Sequence, residues 1–263
     1  MSRIASKFAA LADRKALVTF VTAGDPTVDH TVSAMHAMVA GGADILELGI
    51  PFSDPEAEGP AIQASSERAL ANGVSLKTVL GMVREFRQQD PDTPVVLMGY
   101  LNSILAMADF AEQASSAGAD GLIMVNLPPE EAHTIKPELD NHDIDLIFLL
   151  APTTTDARAE LILSQASGFA YYVSLKGITG ADHLDTEQVA ARLTKLRAQS
   201  KVPVCVGFGI KDPETAKAVG AHADGVVVGS ALVNIMAETL EPEACATRLR
   251  DTVQALRNGL DQA

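Results

Sequence analysis

The feature that most constrains this chain is a repeated alternation, end to end, of short apolar runs with longer amphipathic stretches. The runs are Ala16–Thr22, Asp44–Leu48, Pro94–Met98, Gly121–Val125, Asp145–Leu149, Ala170–Val173, Val204–Gly207 and Gly225–Val228. Most are rich in Val, Ile or Leu without polar alternation, as strands buried on both faces are. Between them Thr27–Val39, Ser75–Gln88, Asp156–Ala166, Thr186–Gln199 and Pro242–Leu260 read as helices, with Ser75, Asp156 and Asp212 as cap-like openings. A weak internal repeat marks the returns: Gly42-Ala43-Asp44, Gly118-Ala119-Asp120 and Ala221-His222-Ala223-Asp224 each end a helix and turn into a strand.

Eight strand–helix units in 263 residues predict an α/β chain folded as a (β/α)8 barrel. The rival is an open doubly wound sheet, whose first turn usually carries G-x-G-x-x-G; here the first run ends Thr22-Ala23-Gly24-Asp25-Pro26. No linker, charge block or low-complexity segment divides the chain. One domain over 1–263 is therefore expected, with extra short helices at the amino terminus, after strand 2 and after strand 8.

Charge narrows the partners. Asp plus Glu is 34 against 20 Lys plus Arg, a net charge of −14. Nucleic acid and anionic membrane both call for a basic surface and are not expected. A local phosphate site built from backbone amides remains open. Cys205 and Cys245 are far apart, and Cys205 lies in an apolar run, as a reduced core thiol would. Residues 1–8 hold no signal-like apolar stretch and no apolar run reaches the ~20 residues of a membrane span, so a cytoplasmic protein is expected. The six histidines show no ligand spacing and read as surface residues, and no metal is assigned.

In a barrel the active site forms at the carboxyl ends of the strands. Glu47 stands alone as an ionisable group at the end of the second run, where charge is costly without a partner or a job. Apolar Leu46, Leu48 and Ile50 beside it are expected to raise its pKa toward neutrality, suiting it to proton transfer. Asp54, Glu56 and Glu58 follow; on an extended loop their alternate spacing puts all three on one side. Gly207-Phe208-Gly209 ends strand 7 and Gly229-Ser230 ends strand 8, where close backbone approach and a short helix amino terminus suit phosphate. Tight βα turns would explain the same glycines, just as a paired structural carboxylate would explain Glu47. Tyr171, near the end of strand 6, is equally a core or a site residue, and Lys176 beyond it is a loop lysine or a phosphate attractor. No lysine ends a strand inside an apolar run, which disfavours a Schiff-base aldolase.

Phe20-Val-Thr-Ala-Gly-Asp-Pro26, Glu47-Leu-Gly-Ile-Pro-Phe-Ser-Asp-Pro55, Gly207-Phe-Gly-Ile210 and Gly229-Ser230, in this order, resemble the tryptophan synthase α-subunit family over essentially the whole chain. The resemblance implies retro-aldol cleavage of indole-3-glycerol phosphate to indole and glyceraldehyde 3-phosphate, with no cofactor in this subunit. It implies a pyridoxal-phosphate-dependent β subunit as partner in an α2β2 assembly. It assigns Glu47 as general acid/base, Glu58 as the carboxylate holding the indole N–H, and Tyr171 as the active-site tyrosine. Phe20, Tyr100 and Leu127 would line the indole pocket. Gly180, Gly209, Gly229 and Ser230 would bind phosphate, Thr179 would belong to a closing loop, and Pro51, Phe52 and Asp54 would face the β subunit. Three positions depart from the family pattern: Glu58 where Asp is usual, Glu56 where an apolar residue is usual, and Asn126 where strand 4 usually ends in Asp. Two functions of other kinds stay open at this point: a partner-activating subunit with little activity of its own, and a sugar-phosphate isomerase on the same barrel.

Overall fold

In the computed structural model, which describes residues 2–173, 186–207 and 209–263, the strands form a closed parallel barrel in chain order. They are β1 (Ala16–Thr22), β2 (Ile45–Gly49), β3 (Val95–Gly99), β4 (Gly121–Met124), β5 (Asp145–Leu150), β6 (Ala170–Val173), β7 (Val204–Gly207) and β8 (Gly225–Val228), with β8 pairing back onto β1. The expected runs match these strands to within about a residue at most ends, because side chains on both faces are buried and both must be apolar.

Alternation divides the core in two. One inward residue per strand or strand start, Val18, Ile45, Val96, Ile123, Ile147, Phe169, Cys205 and Val227, fills the barrel. Ile4 of α1 (Arg3–Leu11) joins that layer, and Phe8 lies 6.2 Å from Phe169, so α1 plugs the amino-terminal end. Outward residues such as Leu17, Leu46, Leu97 and Leu122 pack under the surrounding helices.

The helices are α2 (Val28–Ala40), α3 (Pro60–Ala71), α4 (Leu76–Phe86), α5 (Leu101–Leu105), α6 (Phe110–Ala117), α7 (Lys136–Asn141), α8 (Asp156–Gln165), α9 (Thr186–Gln199), α10 (Pro213–Gly220), α11 (Ser230–Glu238) and α12 (Pro242–Leu260), with a 3-10 segment at Pro129–Thr134. The expected extra helices are α1, α3 and α11; α5 and the 3-10 segment add two more after β3 and β4. Ser75 and Asp212 cap α4 and α10 with full capping boxes. Asp156 does not cap α8: it is already helical, and Thr155 in extended conformation accepts from the Arg158 amide. Its carboxylate instead pairs with Arg192 and Lys195.

The sequence repeat has a structural task. Asp44, Asp120 and Asp224 each accept an amide from the first two residues of the preceding strand, those of Leu17, Val95 and Val204 at 2.9, 2.8 and 2.8 Å. Each is held by arginine: Arg257 for Asp44, Arg3 and Arg87 for Asp120, Arg197 for Asp224. Charged staples thus close the amino-terminal rim, far from the strand ends that carry chemistry.

A second expectation fails in the helical layer. His30 is not a surface residue; it is buried on α2, where Thr27 Oγ1 lies 2.8 Å from its Nδ1. Its position on the helix face turned to the barrel overrides its polarity.

Candidate active site

Glu47 lies on the inward face of β2, opposite Phe20 of β1 and Val96 of β3, and is 1% exposed. Its Oε2 is buried with no hydrogen-bond partner among the described residues. Burial first, and the negative charge of Glu58 second, push its pKa up to about 8. The expected rise is there, but Leu46, Leu48 and Ile50 belong to the outer core. A strand's period of two turns its immediate neighbours away, so it is the barrel interior that desolvates Glu47.

Glu58 reaches the same mouth from the loop after β2. That loop is not extended. The Glu56 amide bonds the Asp54 carbonyl at 2.8 Å and the Glu58 amide bonds the Pro55 carbonyl at 3.0 Å, a tight turn. The turn separates the three acids: Asp54 and Glu56 are exposed, while Glu58 is half-buried. Burial pushes Glu58 up to about 7. Two contacts hold the turn down. The Tyr100 hydroxyl accepts from the Ala57 amide at 3.2 Å, and the Phe52 ring stacks on Tyr100 at 4.8 Å and 19°. Pro51 at the loop's start is buried.

A cavity of about 400 Å³ opens at the carboxyl ends of β3 to β6, lined by Glu58, Met98, Leu127, Leu149, Tyr171 and Val173 among others. Phe20 and Tyr100 do not line it; they wall a neighbouring space of about 20 Å³ with Thr22, Ile62 and Ser66. Glu58 and Met98 border both spaces, so Glu58 stands at their junction. Tyr171 sits at the inner floor, its hydroxyl driven well above the ordinary value by burial and then by the charges of Glu47 and Glu58. Phe20 leans across β2, where a side chain on Gly49 would come within 2.8 Å of its ring.

At the other side of the mouth, Gly229 precedes α11 without a side-chain cap, and Ser230 is its first residue. Gly209 follows β7 in left-handed conformation, with nothing among the described residues within 4 Å of where a Cβ would stand. An uncapped helix start beside exposed glycine backbone is suited to an anion. Thr179, Gly180 and Lys176 lie outside the described residues. Asn126 has a structural use: its Oδ1 accepts from the Leu101 amide at 2.8 Å and fixes the start of α5.

Sequence reasoning missed Met98, Leu149 and Val173, which inward alternation at the strand ends would have pointed to. It also missed Phe148 of β5, and Ile162 and Arg158, which reach the cavity because α8 docks beside β5. Among the described residues no group of three His, Cys, Asp or Glu could hold a metal ion. Among them, too, no helix is long and apolar enough to cross a membrane.

Comparison with known proteins places this geometry. The family model described as tryptophan synthase alpha chain matches residues 8–261. The tryptophan synthase alpha chain of Thioalkalivibrio sulfidiphilus is 56% identical over 99% of this chain and 100% of that protein. That of Cupriavidus taiwanensis is 54% identical over 99% and 100%. The crystal structure of tryptophan synthase subunit alpha from Legionella pneumophila superposes with a TM-score of 0.93 at 46% identity, covering 100% of both chains.

Proposed function

This chain belongs to the tryptophan synthase alpha chain family, and we propose from that premise how its own residues carry the reaction. The activity is that of a carbon–carbon lyase of tryptophan biosynthesis, cleaving indole-3-glycerol phosphate to indole and glyceraldehyde 3-phosphate. Breaking that bond requires a proton delivered to the indole C3 and a proton taken from the adjacent hydroxyl. The O–H electron pair becomes the aldehyde C=O, and the C–C pair returns to the indole ring.

Glu47 is the group for both transfers. A carboxyl with a pKa of about 8 is largely protonated at neutral pH, so it can donate to carbon, and its conjugate base is strong enough to accept from oxygen. Glu58, at the junction of the two spaces, holds the indole N–H, and its carboxylate stabilises the positive charge that gathers on nitrogen as C3 is protonated. Tyr171 floors the indole pocket and Leu127 walls it, while Phe20 and Tyr100 wall the adjoining space that Glu58 also borders. Gly209, Gly229 and Ser230 take the phosphate through backbone amides and the serine hydroxyl.

A beta chain is the partner, as the family's name for these proteins as alpha chains implies. The finer arrangement is an α2β2 assembly in which the beta chain carries pyridoxal phosphate and receives indole, with Pro51, Phe52 and exposed Asp54 toward it, in the cytoplasm. The whole chain acts as one domain, with no cofactor of its own.

The observation that supports these roles best is the pair of carboxylates, one buried and one half-buried, raised to about 8 and about 7 in one barrel mouth. The test is indole release with and without a beta chain. Glu47→Gln is expected to lose about 10²- to 10⁴-fold in turnover. Wild-type turnover in that variant would remove Glu47 from the chemistry and favour a partner-activating role.

A further inference from the structure

We infer that Asp25 and Arg68 are positioning residues for the lyase, acting through α3 to set where the Glu58 carboxylate stands. The inference rests on the proposed role of Glu58. A single residue, Gly59, separates Glu58 from the first residue of α3, so the start of that helix and the carboxylate move together. The Gln63 side-chain amide strengthens the link by donating to the Glu58 carbonyl at 2.9 Å.

The helix in turn is clamped to the turn that follows β1. Arg68 Nε and Nη2 donate to Asp25 Oδ1 and Oδ2 at 2.6 and 3.0 Å, a bidentate pair. Asn72 Nδ2 donates to the carbonyls of Gly24 and Pro26 at 3.0 and 2.7 Å. Ser65 Oγ and Thr22 Oγ1 are 2.6 Å apart. One helix and its cap residue thus grip Thr22, Gly24, Asp25 and Pro26 of a single turn. The gripped face is continuous with the site, because Thr22, Ile62 and Ser66 wall the small space that Glu58 borders.

Asp25 shows what the clamp holds. It is fully buried, and its carboxyl is pushed above the ordinary range by burial against the opposing pull of Arg68. Arg68 is partly exposed, with 37% of its side chain open. A solvated arginine reaching in to a buried carboxylate fixes an angle more than it adds attraction. From Arg68 back to the start of α3 is about 12 Å of helix. A tilt of about 5° about the clamp therefore shifts the Glu58 end by about 1 Å. Displacements of that size can cost ~10²-fold in rate.

The experiment measures kcat and KM for indole release, with melting temperature, in wild type, Arg68→Ala, Arg68→Lys, Glu58→Gln and the Arg68→Ala/Glu58→Gln double variant. Arg68→Ala is expected to lower kcat about 10- to 100-fold. Arg68→Lys, which keeps the charge but not the bidentate geometry, should recover only part of that. In the Glu58→Gln background Arg68→Ala should cost little more, since what it positions is gone. Equal losses in both backgrounds, or a kcat unchanged in Arg68→Ala, overturn the inference. If Arg68→Ala does not fold, Arg68→Lys alone and in the Glu58→Gln background gives the same comparison. Wild-type kcat in Glu58→Gln would instead overturn the role of Glu58, a separate outcome.

Discussion

Gly207 and Tyr171 share one space: a Cβ on Gly207 would stand 2.4 Å from the Tyr171 hydroxyl oxygen and 2.5 Å from its ring. The two lie on adjacent strands, β7 and β6, both facing the barrel mouth. The phenol can therefore lie across the floor only while position 207 has no side chain. Gly207→Ala forces the ring off the floor of the cavity. Expected is a loss of indole-forming kcat/KM of at least about 10-fold, the scale of a misplaced site group. Steady-state kinetics decides it, and unchanged kcat/KM would mean the ring has somewhere else to go.

Glu47 also makes stability depend on pH. Its folded pKa of about 8 stands above the ordinary 4.5. Below 4.5 the group is neutral in both states. As pH rises from there toward 8, the unfolded chain releases the proton while the folded chain keeps it, so stability falls. Glu58 adds a smaller loss in the same sense, ending near 7. Glu47→Gln removes the first effect. Its melting temperature relative to wild type should climb steadily between pH 5 and 8, roughly the interval between the two pKa values. A constant gap across that range in thermal melts would refute a raised folded pKa.

The same two groups shape activity. In the proposed roles, Glu58 must be ionised to accept the indole N–H, and Glu47 must be protonated to give C3 its proton. With pKa values of about 7 and about 8, kcat/KM should rise through the first and fall beyond the second. Glu58→Asp keeps the charge on a shorter, more solvated arm, so the acid limb should move to lower pH while the alkaline limb stays. A pH–rate profile shows whether the two limbs separate in this way.

Most of the barrel was legible because a strand buried on both faces leaves little choice of residue, and runs such as Val226–Val228 or Leu146–Leu150 announce it directly. Glu47 was legible for the converse reason: a charge inside such a run has to be explained. Sequence adjacency points to Leu46 and Leu48 as its surroundings, whereas the pleat sends those two to the helices. The direction of the Asp54–Glu58 turn was not encoded locally, since the Tyr100 hydroxyl that holds Ala57 is 43 residues away. His30 departs from expectation for a related reason, its burial being set by how α2 packs.

Tyr100→Phe tests how that turn is held. The change deletes the hydrogen bond to the Ala57 amide and keeps the ring stacked on Phe52. The stability cost should be about 1 kcal/mol, the net worth of one such bond. Amide hydrogen exchange at Ala57 should accelerate, because its hydrogen-bond partner is gone. Exchange that stays as slow as in wild type would show that stacking alone fixes the loop that carries Glu58.

The rim staples give the largest expected stability effect. Asp120 is 4% exposed and accepts from Arg3, from Arg87 and from the Val95 amide. Asp120→Ala leaves that amide without its acceptor and takes from Arg87, 10% exposed, the paired carboxylate that offsets Arg3. Breaking one partner out of a buried charged set costs about 3–5 kcal/mol. For a chain of this size that lowers the melting temperature by on the order of 10 °C. Asp120 lies at the amino-terminal end of the barrel and Glu47 opens toward the other, so kcat and KM measured well below the transition should match wild type. A large fall in kcat at a temperature where Asp120→Ala is fully folded would show that the two ends of the barrel are coupled.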